Sequence, residues 1–271
     1  MTKPSIIIAG VAGRMGRAIL GSALEKGVTI AGAFDRPDAS CAGDALSTLL
    51  SDADPAPLTG LKIADSYEAV FQKQSVLIDF TSAEASLRHA SIAADGGACA
   101  VIGATGFCED QEKAFGLLAE KTALVKAGNM SLGVNLLCAL VERAAQILPE
   151  EFDIEIVEGH HRRKTDAPSG TALMMGEAAA AGRGVALRDK AVKARDGDTG
   201  PRADGDIGFA VIRGGGIIGD HDAVFAGARE VLTLSHRALD RKLFADGAVR
   251  AAQWVASRRP GLYDMRSVLG F

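Results

Sequence analysis

Apolar residues in the first half of the chain come as short unbroken runs, separated by stretches where they recur every three or four positions. Ser5 to Ala9 and Val28 to Phe34 read as buried strands, and between them Met15, Ile19 and Leu24 place a helix over Arg14 to Lys26. The same alternation returns downstream. Ser75 to Phe80, Ala98 to Ile102 and Thr122 to Lys126 are strand-like, with helices over Ala83 to Asp95 and about Asp110 to Lys121. Parallel strands need crossovers, which are usually helices, so this order predicts a doubly wound parallel sheet. Arg36 to Gly60, rich in Asp, Ser, Ala and Pro, reads as loop or short helix.

After a helix over Ser131 to Leu148 the period changes to two. Phe152, Ile154 and Ile156 alternate with Asp153, Glu155 and Val157, as in a sheet covered on one face. Phe209 to Arg213, Ala223 to Ala226 and Glu230 to His236 add strands, with Gly214 to Gly216 and Gly219-Asp-His-Asp222 as turns. The polar stretch from Arg183 to Gly208 is expected to be a long mobile loop. Asp240 is placed to cap a last helix with Leu243, Phe244, Ala248, Ala251 and Trp254 on one face, which is expected to return to the first domain. The fold class is therefore α/β: a Rossmann-like domain over 1–129 and 241–271, plus an α+β domain over 130–240 with a mostly antiparallel or mixed sheet.

Composition narrows the function. The chain has 271 residues, with 30 Lys and Arg against 34 Asp and Glu, a net charge of −4. That balance argues against a nucleic-acid partner, which requires a basic surface. No apolar stretch reaches the roughly 18 residues of a membrane span. Lys3 ahead of an apolar run imitates a signal peptide, but glycines and Arg14 interrupt the run at once. Cys41, Cys99, Cys108 and Cys138 have neither metal nor disulfide-scaffold spacing, as expected of reduced thiols in the cytoplasm. Glycine is in excess, 32 of 271, against a typical usage of roughly 7%, which points to close backbone approaches.

Two segments carry candidate chemistry. Gly10-Val-Ala-Gly13-Arg-Met-Gly16 joins the first strand to the first helix, where backbone N–H groups and the helix N-terminus can take a pyrophosphate. Asp35 ends the second strand, where an acid hydrogen-bonds ribose hydroxyls and favours NADH; Arg14 and Arg36 can instead meet the 2′-phosphate of NADPH. Phe80-Thr81, Gly103-Ala-Thr105-Gly and Ala127-Gly-Asn-Met130 follow other strand ends, on the side where open α/β sheets bind ligands.

The second segment runs from Glu158 through His160-His161-Arg162-Arg163-Lys164 to Asp166-Ala-Pro168-Ser169-Gly170-Thr171. Its end has the signals of a helix start, with Ser or Asp as cap. Free N–H groups at Ser169, Gly170 and Thr171, beside five positive or protonatable side chains, suit a small acidic molecule. Metal binding fits poorly, because adjacent histidines diverge and no acid or thiol lies at ligand spacing. Histidine is suited to supply the proton that accompanies a hydride near neutral pH, and Lys164 adds a second donor.

Together these motifs resemble the dihydrodipicolinate reductases, now called 4-hydroxy-tetrahydrodipicolinate reductases, of the diaminopimelate and lysine pathway. The similarity extends through Asp79-Phe-Thr81, Gly103 to Phe107, Asn129 to Asn135, Glu158-Gly-His-His, Lys164 to Leu173, Phe209 to Arg213 and Gly261 to Met265. The resemblance implies a homotetramer built through the second domain's sheets, His160 as proton donor, and Lys164 as a second donor. It implies that His161, Lys164, Gly170 and Thr171 bind the dicarboxylate. For the NADH or NADPH cofactor it implies contacts from Gly10, Val11, Ala12, Gly13, Arg14, Met15, Asp35, Arg36, Gly103, Ala104, Thr105, Ala127, Gly128, Asn129 and Met130. Ser82-Ala83 departs from the usual proline-bearing turn, Met130 from a common phenylalanine, and Asp35 from a frequent glutamate; these bear on cofactor preference. The alternatives are a related nicotinamide reductase acting on another dicarboxylate, and a non-catalytic dinucleotide-binding sensor, which would have lost the acid and the anion site.

Overall fold

The computed structural model describes residues 4–50, 54 and 56–271; Lys3 and part of the segment between Arg36 and Gly60 lie outside them. The chain forms two compact units, Met1–Ser131 with Lys242–Phe271, and Leu132–Arg241.

The first unit opens with β1 (Ile6–Ala9), α1 (Arg14–Glu25) and β2 (Ile30–Phe34). Two short 3-10 turns, Leu46–Leu49 and Ala56–Leu58, lead to β3 (Ile63–Ala64), a strand too short to leave a periodic signal. Then come β4 (Val76–Asp79), α2 (Ala83–Gly96), β5 (Cys99–Ile102), α3 (Glu109–Ala119) and β6 (Ala123–Lys126). In the second unit, α4 (Leu132–Ile147), β7 (Asp153–His160) and α5 (Gly170–Arg183) precede α6 (Leu187–Lys190) and β8 (Ala191–Val192). It ends with β9 (Ile207–Arg213), β10 (Asp220–Ala226) and β11 (Val231–Arg237). The chain re-enters the first unit as α7 (Lys242–Val255), β12 (Gly261–Tyr263) and α8 (Met265–Leu269).

The first sheet has the order β12-β6-β5-β4-β1-β2-β3, and all its pairs are parallel. Its strands read as continuous apolar runs because both faces are covered. Ile7, Leu77, Ala100 and Leu124 join Ala90, Ala93 and Phe115 of α2 and α3 in one core. The alternate residues Ile6, Ile8, Val76 and Val101 are equally buried, and α7 packs against α1 and over β4 to β6. Asp246 accepts from Ser22 at 2.6 Å and pairs with Lys26, while Lys242 pairs with Glu25. The buried face of α7 keeps Ala248 and Ala251 of the expected positions but is shifted at the other three. Ala245, Ala248, Val249, Ala252 and Val255 are buried, whereas Leu243, Phe244 and Trp254 are only partly so, because small residues allow this helix to lie close to its neighbours. The Cβ of any larger residue at Gly247 would stand 1.7 Å from the Met130 carbonyl. Strand order reverses between β1 and β4, so a crevice opens beyond their carboxyl ends.

The second sheet, β11-β10-β7-β9-β8, is mixed: β7, β8 and β9 run parallel, and β10 is antiparallel to both β7 and β11. Ile154, Ile156, Phe209, Ala223 and Phe225 pack against α4 and α5 on one face. The structure departs from expectation in two places. Residues 183–208 are not simply a loop, since α6 and β8 lie within them. The polar remainder is tethered by Arg195 on Glu155 (2.8 and 3.0 Å) and by Arg202 on Asp153 and the Ile154 carbonyl. Asp220 to Asp222 are not a turn but the start of β10, paired with Val157 to Gly159, which buries His221.

Candidate active site

The glycine turn of the first unit is shaped by backbone contacts. Gly10 has φ +60°, and a Cβ there would meet the Thr81 methyl at 2.9 Å. At Gly16 a Cβ would fall 2.2 Å from the Gly10 carbonyl, so α1 can begin directly on the turn only because that residue is glycine. Asp35 reaches back from the end of β2 to the turn after β1: Ala12 N–H donates to one carboxylate oxygen and Arg36 N–H to the other, both at 2.9 Å. The helix start has no side-chain cap, as Gly13 is the N-cap, and the first turn carries no acid. The first-turn N–H groups and the positive end of the dipole are thus left for an anion. The cradle fits a pyrophosphate. Arg14 and Arg36 are both exposed, with Arg36 paired to Asp38 at 3.1 Å.

The other strand-end turns adjoin this one. Gly103 carries the Phe80 ring so closely that a Cβ would lie 2.2 Å from it, and Gly128 stands 3.6 Å from the Thr105 methyl by the same measure. Ala127 N–H donates to the Ile102 carbonyl, and Asn129 Oδ1 accepts from Ser131 N–H at 2.8 Å. Val11 and Met130 point into the core, and Ala104 is buried as well, so backbone is what Val11 presents to the turn. Below Phe80-Thr81 lies buried Asp79, which accepts from Thr81 N–H (2.8 Å), the Thr81 and Ser86 hydroxyls (2.6 and 2.7 Å) and His89 Nδ1 (2.7 Å). Burial pushes this carboxyl up, but these donors outweigh it and hold it below the usual carboxylate range.

In the second unit β7 delivers Glu158 and His160 to the same face, two residues apart. His160 Nδ1 lies 2.6 Å from Glu158 Oε2, and Arg213 from β9 grips both carboxylate oxygens at 2.7 and 2.8 Å. Ser169 N–H donates to Glu158 Oε1 at 3.0 Å. Desolvation raises the Glu158 pKa, yet Arg213, His160 and the Ser169 N–H lower it more, so the group stays ionised. Ser169 caps α5, its Oγ accepting from Ala172 N–H at 3.1 Å and lying 3.1 Å from His221 Nε2. The expected free N–H at Ser169 is therefore corrected: Glu158 has taken it. Among the described residues the Gly170 N–H meets no acceptor, and the space above Gly170 is open to 4 Å. Thr171 follows in the same first turn, which again has no acid.

Around this helix start stand His161 and Lys164. Partial desolvation and the charges of Arg241, His160, Lys164 and Arg163 hold His161 below its ordinary pKa. Lys164 is ion-paired with Asp166 at 2.8 Å, and Arg213 also donates to the Asp166 carbonyl, which ties the basic turn to Glu158. His221 packs edge-on against His160, ring centres 5.1 Å apart, and burial followed by the His160 charge pushes its pKa down to about 4. Sequence reasoning singled out His160, His161, Lys164, Gly170 and Thr171, which this unit gathers at one helix start. It gave no role to Glu158, Arg213 or His221, while the expected serine cap is Ser169. Glu158 was legible as the inward position two before His160 on a period-two strand; the others depend on strand pairing.

Among the described residues no group of three or more His, Cys, Asp or Glu is placed to hold a metal, and no helix is long and apolar enough to cross a membrane. Comparison with known proteins matches residues 4–130 to the family model for the N-terminus of dihydrodipicolinate reductase and 133–269 to that for its C-terminus. The 4-hydroxy-tetrahydrodipicolinate reductase of Caulobacter vibrioides is 51% identical, covering 100% of this chain and 99% of its own. That of Rhodopseudomonas palustris is 47% identical over 100% of this chain and 98% of its own. A solved dipicolinate-bound dihydrodipicolinate reductase from Paenisporosarcina superposes with a TM-score of 0.77 at 25% identity, covering 97% and 98%. Chain-long identity, two adjoining family matches and the fold agree: the chain belongs to the dihydrodipicolinate reductase family of oxidoreductases, the 4-hydroxy-tetrahydrodipicolinate reductases.

Proposed function

We propose that the chain reduces 4-hydroxy-tetrahydrodipicolinate to tetrahydrodipicolinate with release of water, in diaminopimelate and lysine biosynthesis, using residues 1–129 and 241–271 for the dinucleotide and 130–240 for the substrate. The observation that carries the site assignment is His160, backed by ionised Glu158, beside the open Gly170 N–H of α5. Loss of the 4-hydroxyl as water leaves a conjugated cyclic imine, to which NADH or NADPH, when held by the first unit, would supply a hydride. His160 supplies the proton. Lys164 is a second donor and a fixed positive charge, stabilising negative charge that grows in the transition state. His161, Lys164 and the Gly170 and Thr171 N–H groups hold the carboxylates. Gly10, Gly13, Arg14 and Met15 cradle the pyrophosphate, while Gly103 to Thr105 and Ala127 to Met130 line the same crevice.

Both nucleotides are substrates in this reading. Asp35 keeps lone pairs free for ribose hydroxyls after accepting two N–H groups, which serves NADH, and exposed Arg14 and Arg36 serve the 2′-phosphate of NADPH. Four free cysteines support a reducing, cytoplasmic setting. A homotetramer is supported by the second sheet's outer face, where Ile212 (54% exposed) and Val231 (61%) stand with Ala210, Val157 and Val224 and no helix of the unit covers them. The test is oxidation of NADH and of NADPH with the condensation product of pyruvate and aspartate semialdehyde. Turnover is expected with both; turnover with neither contradicts the proposal.

A further inference from the structure

We infer that Glu158 and Gly219 are positioning residues that make Nε2 of His160 the atom exchanging the proton, Glu158 by occupying Nδ1 and Gly219 by leaving Nε2 room. The inference rests on the reading of His160 as the acid.

Glu158 is 1% exposed and accepts from four donors: His160 Nδ1–H, two Arg213 N–H groups and Ser169 N–H. An ionised carboxylate can only accept, so the 2.6 Å contact requires the proton on His160 Nδ1 whether the ring is neutral or charged. Only Nε2 is then left to gain and lose a proton. Among the described residues Nε2 meets no hydrogen-bond partner, which leaves it available to a ligand. The same carboxylate holds the N-cap residue of α5, so one buried group sets both the orientation of the acid and the start of the anion-binding helix. Nδ1 and Nε2 are thus assigned different tasks by the fold.

Gly219 supplies the second half. A Cβ at this position would lie 3.2 Å from His160 Nε2, tighter than ordinary van der Waals contact, and its backbone φ is not in the left-handed region. A Cβ here would therefore press the neighbouring nitrogen back by a few tenths of an ångström, and no left-handed turn calls for the glycine. Gly216 nearby has nothing within 4 Å of its would-be Cβ and ordinary φ, which makes it a matched control.

The test combines nitrogen-15 NMR of ring-labelled histidine with kinetics. In the wild-type protein, the neutral His160 ring is expected to carry its proton on Nδ1. In Glu158→Gln the amide can donate to Nδ1, so the Nδ1–H form is expected to be lost, with kcat falling at least about tenfold and KM changing less. Gly219→Ala is expected to keep the tautomer yet lower kcat about tenfold, while Gly216→Ala stays within about twofold of wild type. A neutral wild-type ring protonated on Nε2, an unchanged kcat in Glu158→Gln, or equal behaviour of the two glycine variants overturns the inference. Should Glu158→Gln fail to fold, the wild-type tautomer and the glycine pair still decide. Wild-type protonation on Nε2 with an inactive His160→Gln would remove the inference alone; Nδ1 protonation with a fully active His160→Gln would remove the underlying reading instead.

Discussion

His221 shows how one side chain ties stability to the site. Its ring is 3% exposed, packed edge-on against His160 and bonded to the helix-capping Ser169, and burial favours its neutral form. The folded pKa of about 4 lies below the ordinary 6.5. The unfolded chain therefore binds a proton first as pH falls. Stability from this group is complete above pH 6.5 and is lost progressively as pH drops toward 4. Glu158 and Asp79, both held below their usual values, lose their contributions in the same direction at lower pH. Denaturant titrations from pH 7 to 4 should show a fall in unfolding free energy, of which on the order of 2 kcal/mol disappears in His221→Gln. Equal slopes for both proteins would contradict this role. Lys164→Ala, which removes the proposed second donor beside the proposed carboxylate site, is expected to lower kcat and raise KM together in steady-state assays.

At the scale of elements, the strand–turn–helix at the start of the chain depends on two glycines for different reasons. Gly16 permits α1 to touch the turn, whereas Gly10 supplies a left-handed φ beside Thr81. Gly16→Ala should cost about 1–3 kcal/mol of stability in chemical denaturation. Gly10→Ala should in addition weaken NADH and NADPH binding by at least about tenfold in fluorescence titration, since the cradle itself is displaced.

Most elements of the parallel sheet were legible because their signals are local. Val76–Asp79, apolar up to its last residue, and the apolar Cys99–Ile102 are four-residue runs with helical periodicity following them. β3 and β12, of two and three residues, are too short for a period and exist by pairing to β2 and β6. The stretch 183–208 read as a loop because its polar residues look solvated, whereas Arg195 and Arg202 answer acids on β7 some 40 to 49 positions away. Gly219-Asp-His-Asp222 read as a turn for a related reason. Its histidine turns inward onto His160 and Ser169, and no composition rule separates that from a loop. Arg213 likewise reaches Glu158 only through the β7–β9 register.

For the whole molecule, acidic balance and local positive charge coexist. The net charge of −4 leaves no general basic surface, and the cations that matter are gathered between His160 and Lys164. The second unit's sheet spends its inner face on the core with α4 and α5, and its outer face is proposed to meet other copies. Light scattering after size-exclusion chromatography should give a tetramer of four 271-residue chains. Ile212→Arg and Val231→Asp should each shift it to smaller species, and a wild-type monomer would contradict the assembly.

The central claim is that His160 gives the proton in the reduction, and steady-state kinetics of His160→Gln test it most directly. The expected result is a fall in kcat of about 100-fold or more with KM little changed, because the acid acts in the transition state while His161, Lys164 and the α5 terminus still bind the diacid. An unchanged kcat would contradict the account.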